Sequence, residues 1–223
     1  LTENFLEQGI PPYKIAYLAF TKKAANEALE RALSKFGFDK NELPYFRTIH
    51  SLCYQWLGLK NSDVMSSSHY REFSRLMGEP LNGKMRTEDG IVLGLSKGDQ
   101  MLFHENIARN KQFSVKQQWQ ESGMLVSWSH MNWFCEGLRE YKKQRFLKDY
   151  TDMLQLFLEE KTSPKVDVLI IDEAQDLSSL QWKCIEKLAQ HTKELYIAGD
   201  DDQAIYQWAG ADVQTFIEKL KVQ

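Results

Sequence analysis

The run "VDVLIID", Val166 to Asp172, constrains the fold more than any other part of the chain. Val168 to Ile171 are apolar without a break, so both faces of a strand built from them are apolar. Such a strand is buried on both sides, which is the situation in a parallel sheet covered by helices. Three further runs have the length and composition of strands: "KIAYLAFT" (14–21), "YFRTIH" (45–50) and "ELYIAGD" (194–200). Helical patterns lie between them. "KKAANEALERALSKFG" (22–37) is rich in Ala, Leu and Glu and ends on Gly37, a suitable helix C-cap. "SSLQWKCIEKLAQHT" (178–192) opens on a serine pair suited to N-capping. The expected class is α/β, a parallel sheet flanked by helices.

Beyond Gly58 the strand signal stops until about Lys148. "HYREFSRLMG" and "HMNWFCEGLREYKKQRF" read as helices, with a glycine-spotted passage at 78–98 between them. A mainly helical insertion (58–145) is therefore expected inside a discontinuous core (1–57 and 146–223). The charge is uneven: Leu57 to Tyr150 holds 14 Lys and Arg against 11 Asp and Glu, and the remainder holds 14 against 20. A basic middle in an acidic frame fits a polyanion partner, and equally fits solvated helix faces. No apolar run approaches the roughly 18 residues of a membrane span. The three cysteines are far apart and odd in number, so neither a zinc cluster nor a disulfide framework is expected, and a cytoplasmic setting is the default. "LTENFLEQGI" starts without Met and has no leader character; it reads as mid-helix, as if the chain begins inside a longer protein.

In open parallel sheets ligands sit beyond the carboxyl ends of strands. Asp172 and Glu173 fall at one such end and Asp200 of "YIAGDDDQ" at another. Carboxylates gathered at one edge repel each other unless a cation compensates, and magnesium binds through one or two carboxylates plus substrate phosphates. Asp172 then holds the metal's water shell, with Glu173 beside it, and Glu173 polarises a water for attack on phosphorus. Two carboxylates stabilised by a helix dipole, with no chemistry, fit the same residues.

The flanking order is more specific. "VDVLIIDEAQDLS" resembles the Walker B motif of the UvrD/Rep-like superfamily 1 DNA helicases. "LAFTKKAANEALERA", "FRTIHSL", "FLKDYTDMLQ" and "IAGDDDQAIYQWAGAD" resemble four further motifs of that family, in its order. The resemblance implies a RecA-like P-loop NTPase motor domain with a helical inserted subdomain. It implies ATP and Mg2+ as cofactors, and single-stranded DNA and single-strand/duplex junctions as partners. The activity implied is 3′-to-5′ movement on DNA with duplex unwinding. Residue by residue, Asp172 becomes the magnesium-associated carboxylate, Glu173 the general base and Gln203 the sensor of the terminal phosphate. Phe20, Thr21, Tyr206 and Trp208 face single-stranded DNA, where aromatic stacking supplies grip without reading sequence. Thr48 and His50 bond its backbone. The basic cluster Lys142, Lys143 and Arg145 is expected either to meet phosphates or to form an ordinary solvated helix face.

The chain departs from the family pattern in two places. No G-x-x-x-x-G-K-[ST] phosphate loop follows a strand. "GEPLNGKM" (78–85) has the glycine spacing, but Met85 replaces the hydroxyl and a helix pattern precedes it, so it reads as a surface turn. The loop is expected upstream of Leu1 and a second motor domain downstream of Gln223. The family's arginine after the tryptophan is Ala209 here, which cannot stabilise transition-state charge. Two other readings stay open: a non-catalytic DNA-binding or scaffold relative, and a metal-dependent nuclease using Asp172, Glu173 and Asp200. With no phosphate loop, the 223-residue chain alone is expected to show no ATPase activity. Steady-state phosphate release above that of a Glu173→Gln control contradicts this.

Overall fold

A computed structural model of the protein describes residues 2–81, 85–86, 92–93, 96–204 and 206–220, without the side chains of 85, 86, 92, 93 and 208. The chain forms two compact units, Leu1–Leu57 with Leu156–Gln223, and Gly58–Gln155. Among the described residues no helix is long and apolar enough to cross a membrane.

The first unit is built on a four-stranded parallel sheet of β1 (Ile15–Ala19), β2 (Phe46–Thr48), β5 (Val168–Asp172) and β6 (Glu194–Ile197). Its order is β2-β1-β5-β6. The apolar runs explain its centre: β1 and β5 are buried along nearly their whole length, with Ile15, Leu18, Val168, Leu169 and Ile171 all inaccessible to solvent. On one face Ile15, Phe46, Val168 and Ile170 pack with Phe5 of α1 (Thr2–Glu7) and with Leu29 and Ala32 of α2 (Lys22–Phe36). The alternate residues Ala16, Leu18, Leu169 and Ile171 are buried on the other. Cys53 of α3 (Ile49–Trp56) contacts Cys184 of α9 (Ser179–Ala189) there, and burial pushes the Cys53 thiol up.

Local signals set the helix ends. The Thr21 hydroxyl accepts from Ala24 N at the start of α2, and Gly37 ends it at φ 70°. Ser178 and Gln181 form a reciprocal capping box at α9. The run 45–50 differs from its expected strand. Its last two residues belong to α3, because the Thr48 hydroxyl accepts from Ser51 N and starts that helix.

The second unit contains α4 (Ser67–Met77), α5 (Lys97–Lys111), α6 (Val115–Glu121), α7 (Trp128–Gln144) and the start of α8 (Tyr150–Glu159). It also holds a short antiparallel pair, β3 (Met85–Arg86) and β4 (Val92–Leu93), which no periodicity announced. Residues 82–84 of the "GEPLNGKM" stretch lie outside the described residues; Gly78 ends α4 in the left-handed region. Phe73, Met101, Leu102, Met131, Phe134 and Leu138 form the core.

A buried charge network stands beside that core. The Arg109 guanidinium pairs with Asp149 at 2.7 Å, with Asp152 at 3.0 Å and with Glu105 at 2.8 Å. Lys142, only 8% exposed, pairs with the same two aspartates. Thr151 donates to Asn106 at 3.1 Å. These bonds and the packing of Leu147 explain why the unit runs to Gln155 rather than ending near 145.

Burial by itself pushes the Asp149 carboxyl up, but Arg109 and Lys142 outweigh it and hold the group well below the usual carboxylate range. A depressed folded pKa stabilises the fold above the unfolded value of about 3.9 and ceases to do so as pH falls through the folded one. Asp149→Ala, which removes the one carboxylate of the network that is buried and shared by Arg109 and Lys142, is expected to cost about 3 kcal/mol at pH 7 in urea denaturation. The gap to the parent should narrow under strongly acidic conditions; a constant gap contradicts the assignment.

Candidate functional site

β1 leads through α2 to β2 on one side of the sheet, and β5 leads through α9 to β6 on the other. The strand order therefore reverses between β1 and β5, and a crevice opens beyond their carboxyl ends. Ala19 pairs in register with Asp172, so the residues that follow both strands emerge side by side.

Asp172 ends β5 with both oxygens engaged. Oδ1 accepts from Glu173 N at 3.1 Å, and Oδ2 accepts from the Tyr17 hydroxyl. The Tyr17 ring stacks on Phe46 with centroids 5.7 Å apart, which holds the hydroxyl at the carboxylate. Burial, then the bond to Asp172, pushes the Tyr17 phenol well above its ordinary range. It is thus a neutral donor at any physiological pH.

Glu173 has φ 53° and ψ 41°, a left-handed conformation uncommon for a residue with a side chain. The turn it makes lets Ala174 N donate to Ala198 O at 3.0 Å, tying the end of β5 to the segment after β6. Gln175 completes the tie. Only 1% exposed, it donates from Nε2 to Glu173 Oε2 at 2.7 Å and accepts at Oε1 from Asp200 N at 3.2 Å. Asp200 in turn accepts from the Gln203 amide at 2.6 Å. Glu173, Gln175, Asp200 and Gln203 form one hydrogen-bonded chain across two strand ends.

The aromatic positions are placed differently from one another. Phe20 is buried, and its ring meets that of Tyr206 at 5.3 Å with the planes tilted by 42°. The hydroxyls of Thr21 and Thr48 cap helices, and Thr48 and His50 are buried. Of Phe20, Thr21, Thr48, His50 and Tyr206, Thr21 and Tyr206 are partly open to solvent. Trp208 lies in a single helical turn, Gln207–Ala209, and its side chain lies outside the described residues. Ala209 is buried. Asp212 anchors the far end of this segment, accepting from Ser179 Oγ at 2.7 Å and Thr215 N at 3.0 Å. Burial raises its pKa, but the bonds from Thr215 and Ser179 win and hold it low.

In the helical unit the basic cluster divides. Lys142 is committed to Asp149 and Asp152 and is not available to an outside phosphate, a correction to its expected DNA-facing role. A polar-looking helix position hid an ion pair whose partners lie beyond the helix end. Arg145 pairs with Glu72 at 2.6 Å and lies over the Tyr141 ring at 4.1 Å, at the surface. Lys143 is exposed.

Among the described residues no three His, Cys, Asp or Glu are grouped to hold a metal ion by themselves. Asp172 and Glu173 at one strand end, with Asp200 bonded through Gln175, instead suit magnesium held mainly by water and nucleotide phosphates. Tyr17 and Gln175 escaped sequence reasoning, since one sits in an apolar run and the other among carboxylates. Gly199 was the available signal for Gln175. A Cβ there would stand 2.4 Å from Gln175 Oε1 and 3.0 Å from the Phe216 ring.

The sequence model of the UvrD/REP helicase N-terminal domain matches residues 2–222. YjcD of Bacillus subtilis is 29% identical, over 96% of this chain and 29% of its own length. PcrA of Staphylococcus aureus, an ATP-dependent DNA helicase, is 25% identical over 95% of this chain and 30% of its own length. Rep of Buchnera aphidicola, also named an ATP-dependent DNA helicase, is 24% identical over 94% of this chain and 32% of its own length. The chain thus spans about a third of the length of these curated relatives.

Gly199→Ala is expected to displace the buried Gln175 side chain and to cost about 1–3 kcal/mol in denaturant unfolding. In a Gln175→Ala background the same change should cost clearly less, because the clashing amide is gone. Equal costs in the two backgrounds rule out the clash as the cause.

Proposed function

The chain belongs to the UvrD/Rep helicase family, and from this premise we propose that it is the RecA-like motor part of an ATP-dependent DNA helicase acting on single-stranded DNA. In this reading it moves 3′-to-5′ and engages single-strand/duplex junctions. The observation that carries the reading is the hydrogen-bonded chain from Glu173 through Gln175 and Asp200 to Gln203, set where the strand order reverses.

Asp172, held by Tyr17, is the residue to bind the water shell of magnesium arriving with ATP. A cation held there would supply positive charge against the charge building on the phosphates. Glu173 accepts the proton of the attacking water, and its left-handed backbone, with the Gln175 amide on Oε2, fixes where that oxygen points. Gln203 exchanges its bond with Asp200 for one with the terminal phosphate. Tyr206, three residues on and in ring contact with Phe20, carries the change toward the DNA. Trp208 on the same segment supplies a stacking platform for a base.

Ala209 favours a second reading, a relative that binds DNA without effective turnover, because the position offers no charge to a transition state. The intact Asp172, Glu173 and Gln203 weigh against it. Experiments on the intact protein separate the two. Glu173→Gln should leave ATP binding in place and lower turnover by about 10²–10⁴-fold. Trp208→Ala should reduce DNA stimulation while turnover without DNA changes little. Parent turnover no higher than that of Glu173→Gln supports the second reading. Loss of DNA-independent turnover in Trp208→Ala makes that tryptophan a core residue.

A further inference from the structure

Phe146 stands one residue past the cap of α7, where its N–H donates to Lys143 O at 3.2 Å and Leu147 N donates to Lys142 O at 2.9 Å. These bonds close the helix around a residue in the left-handed region, and Phe146 has φ 56°. Glycine or asparagine ordinarily fills such a position, and a bulky side chain there is strained. Packing does not offset the strain, because Phe146 is 83% exposed. An aromatic ring is therefore held in solvent on a backbone that would be more comfortable without it.

Backbone hydrogen bonds tie down the turn beneath the ring. Lys148 N donates to Asp63 O at 2.7 Å and Met65 N to Lys148 O at 2.8 Å, and the Val64–Lys148 bridge lies between. The Leu147 side chain is buried in the core. In sequence Phe146 lies between Lys143 and Lys148, neither of which has an acidic partner among the described residues, and Arg145 pairs with Glu72 and lies over Tyr141. The nearby carboxylates are taken, Glu72 by Arg145 and Tyr141, Glu140 by Gln144 and Glu136 by Arg139.

We propose that Phe146 is a base-stacking residue of the helical unit, on which one unpaired base of a nucleic acid lies while Lys143 and Lys148 meet the flanking phosphates. The inference rests on the DNA-binding reading above and adds to it a contact on the second unit. An exposed ring with a lysine before it and a lysine after it in the chain matches a π-faced base between two phosphates. A protein partner would want apolar neighbours around the ring, and residues 143–145 are Lys, Gln and Arg.

The test is binding of a labelled single-stranded oligonucleotide by the intact protein and by Phe146→Asn, Phe146→Leu and Phe146→Trp, with unfolding midpoints in parallel. Asn relieves the strain, so that variant is expected to be at least as stable as the parent. Its DNA affinity should fall by roughly 5- to 150-fold, the range of one lost base stack. Leu should bind as weakly as Asn, and Trp about as well as the parent. The salt slope should stay unchanged in Phe146→Asn and drop by about one in Lys143→Ala. An oligonucleotide abasic throughout should not distinguish Phe146→Asn from the parent. Parent-like affinity in Phe146→Asn overturns the proposal, as does a loss of stability in that variant, which would make the ring structural. If Tyr206→Ala weakens binding while Phe146→Asn does not, the motor reading stands and only this contact falls. A parent that binds no single-stranded DNA sinks both.

Discussion

The pairing of β1 with β5 is the constraint on which the site depends. Both strands are buried on both faces, so a slip of one residue would move each side chain of β5 to the opposite face of the sheet. The register that results sets Ala19 against Asp172 and Tyr17 against Ile170. From there Tyr17 reaches the Asp172 carboxylate, and the segments holding Phe20 and Glu173 leave the sheet together. The hydrophobic effect places the charges, since it fixes a pairing that carries them to one edge.

The two units solve burial in different ways. The sheet unit keeps its interior apolar and collects polar groups where the strands end. The helical unit buries Lys142 and Asp149, with Arg109 and Asp152 partly buried around them, beside an aromatic and aliphatic core. Such a network is a poor source of net stability against an apolar replacement, but it is costly to break in part. Its bonds join α5, the end of α7 and the start of α8. They therefore fix how the chain turns from α7 into α8.

Strain marks two places of different character. Glu173 holds a left-handed conformation between its own bonds to Asp172 and Gln175 and the bond from Ala174 N to Ala198 O, so its surroundings over-determine it. Phe146 holds one with its ring in water. In the first case the fold stabilises the strain, and in the second only the backbone turn does. That difference separates a strand end held by its own hydrogen bonds from an exposed ring that no described contact compensates.

The sequence by itself determined what depends on neighbours a few residues apart. The unbroken apolar run at 168–171 required a doubly covered strand, Gly37 and Ser178 ended and began helices, and the motif order from Ala16 to Asp212 identified the family and its candidate carboxylates. Capping and periodicity are local, so they are legible in one dimension. The tertiary structure alone decided which of those residues meet. Tyr17 and Asp172 are 155 positions apart, Gln175 and Asp200 are 25 apart, and Arg109 and Asp149 are 40 apart. Each contact follows from strand order or helix packing, which sequence spacing does not encode. Lys142 shows the consequence: its basic neighbours suggested an exposed face, and only the fold of the chain beyond α7 brings the aspartates that bury it.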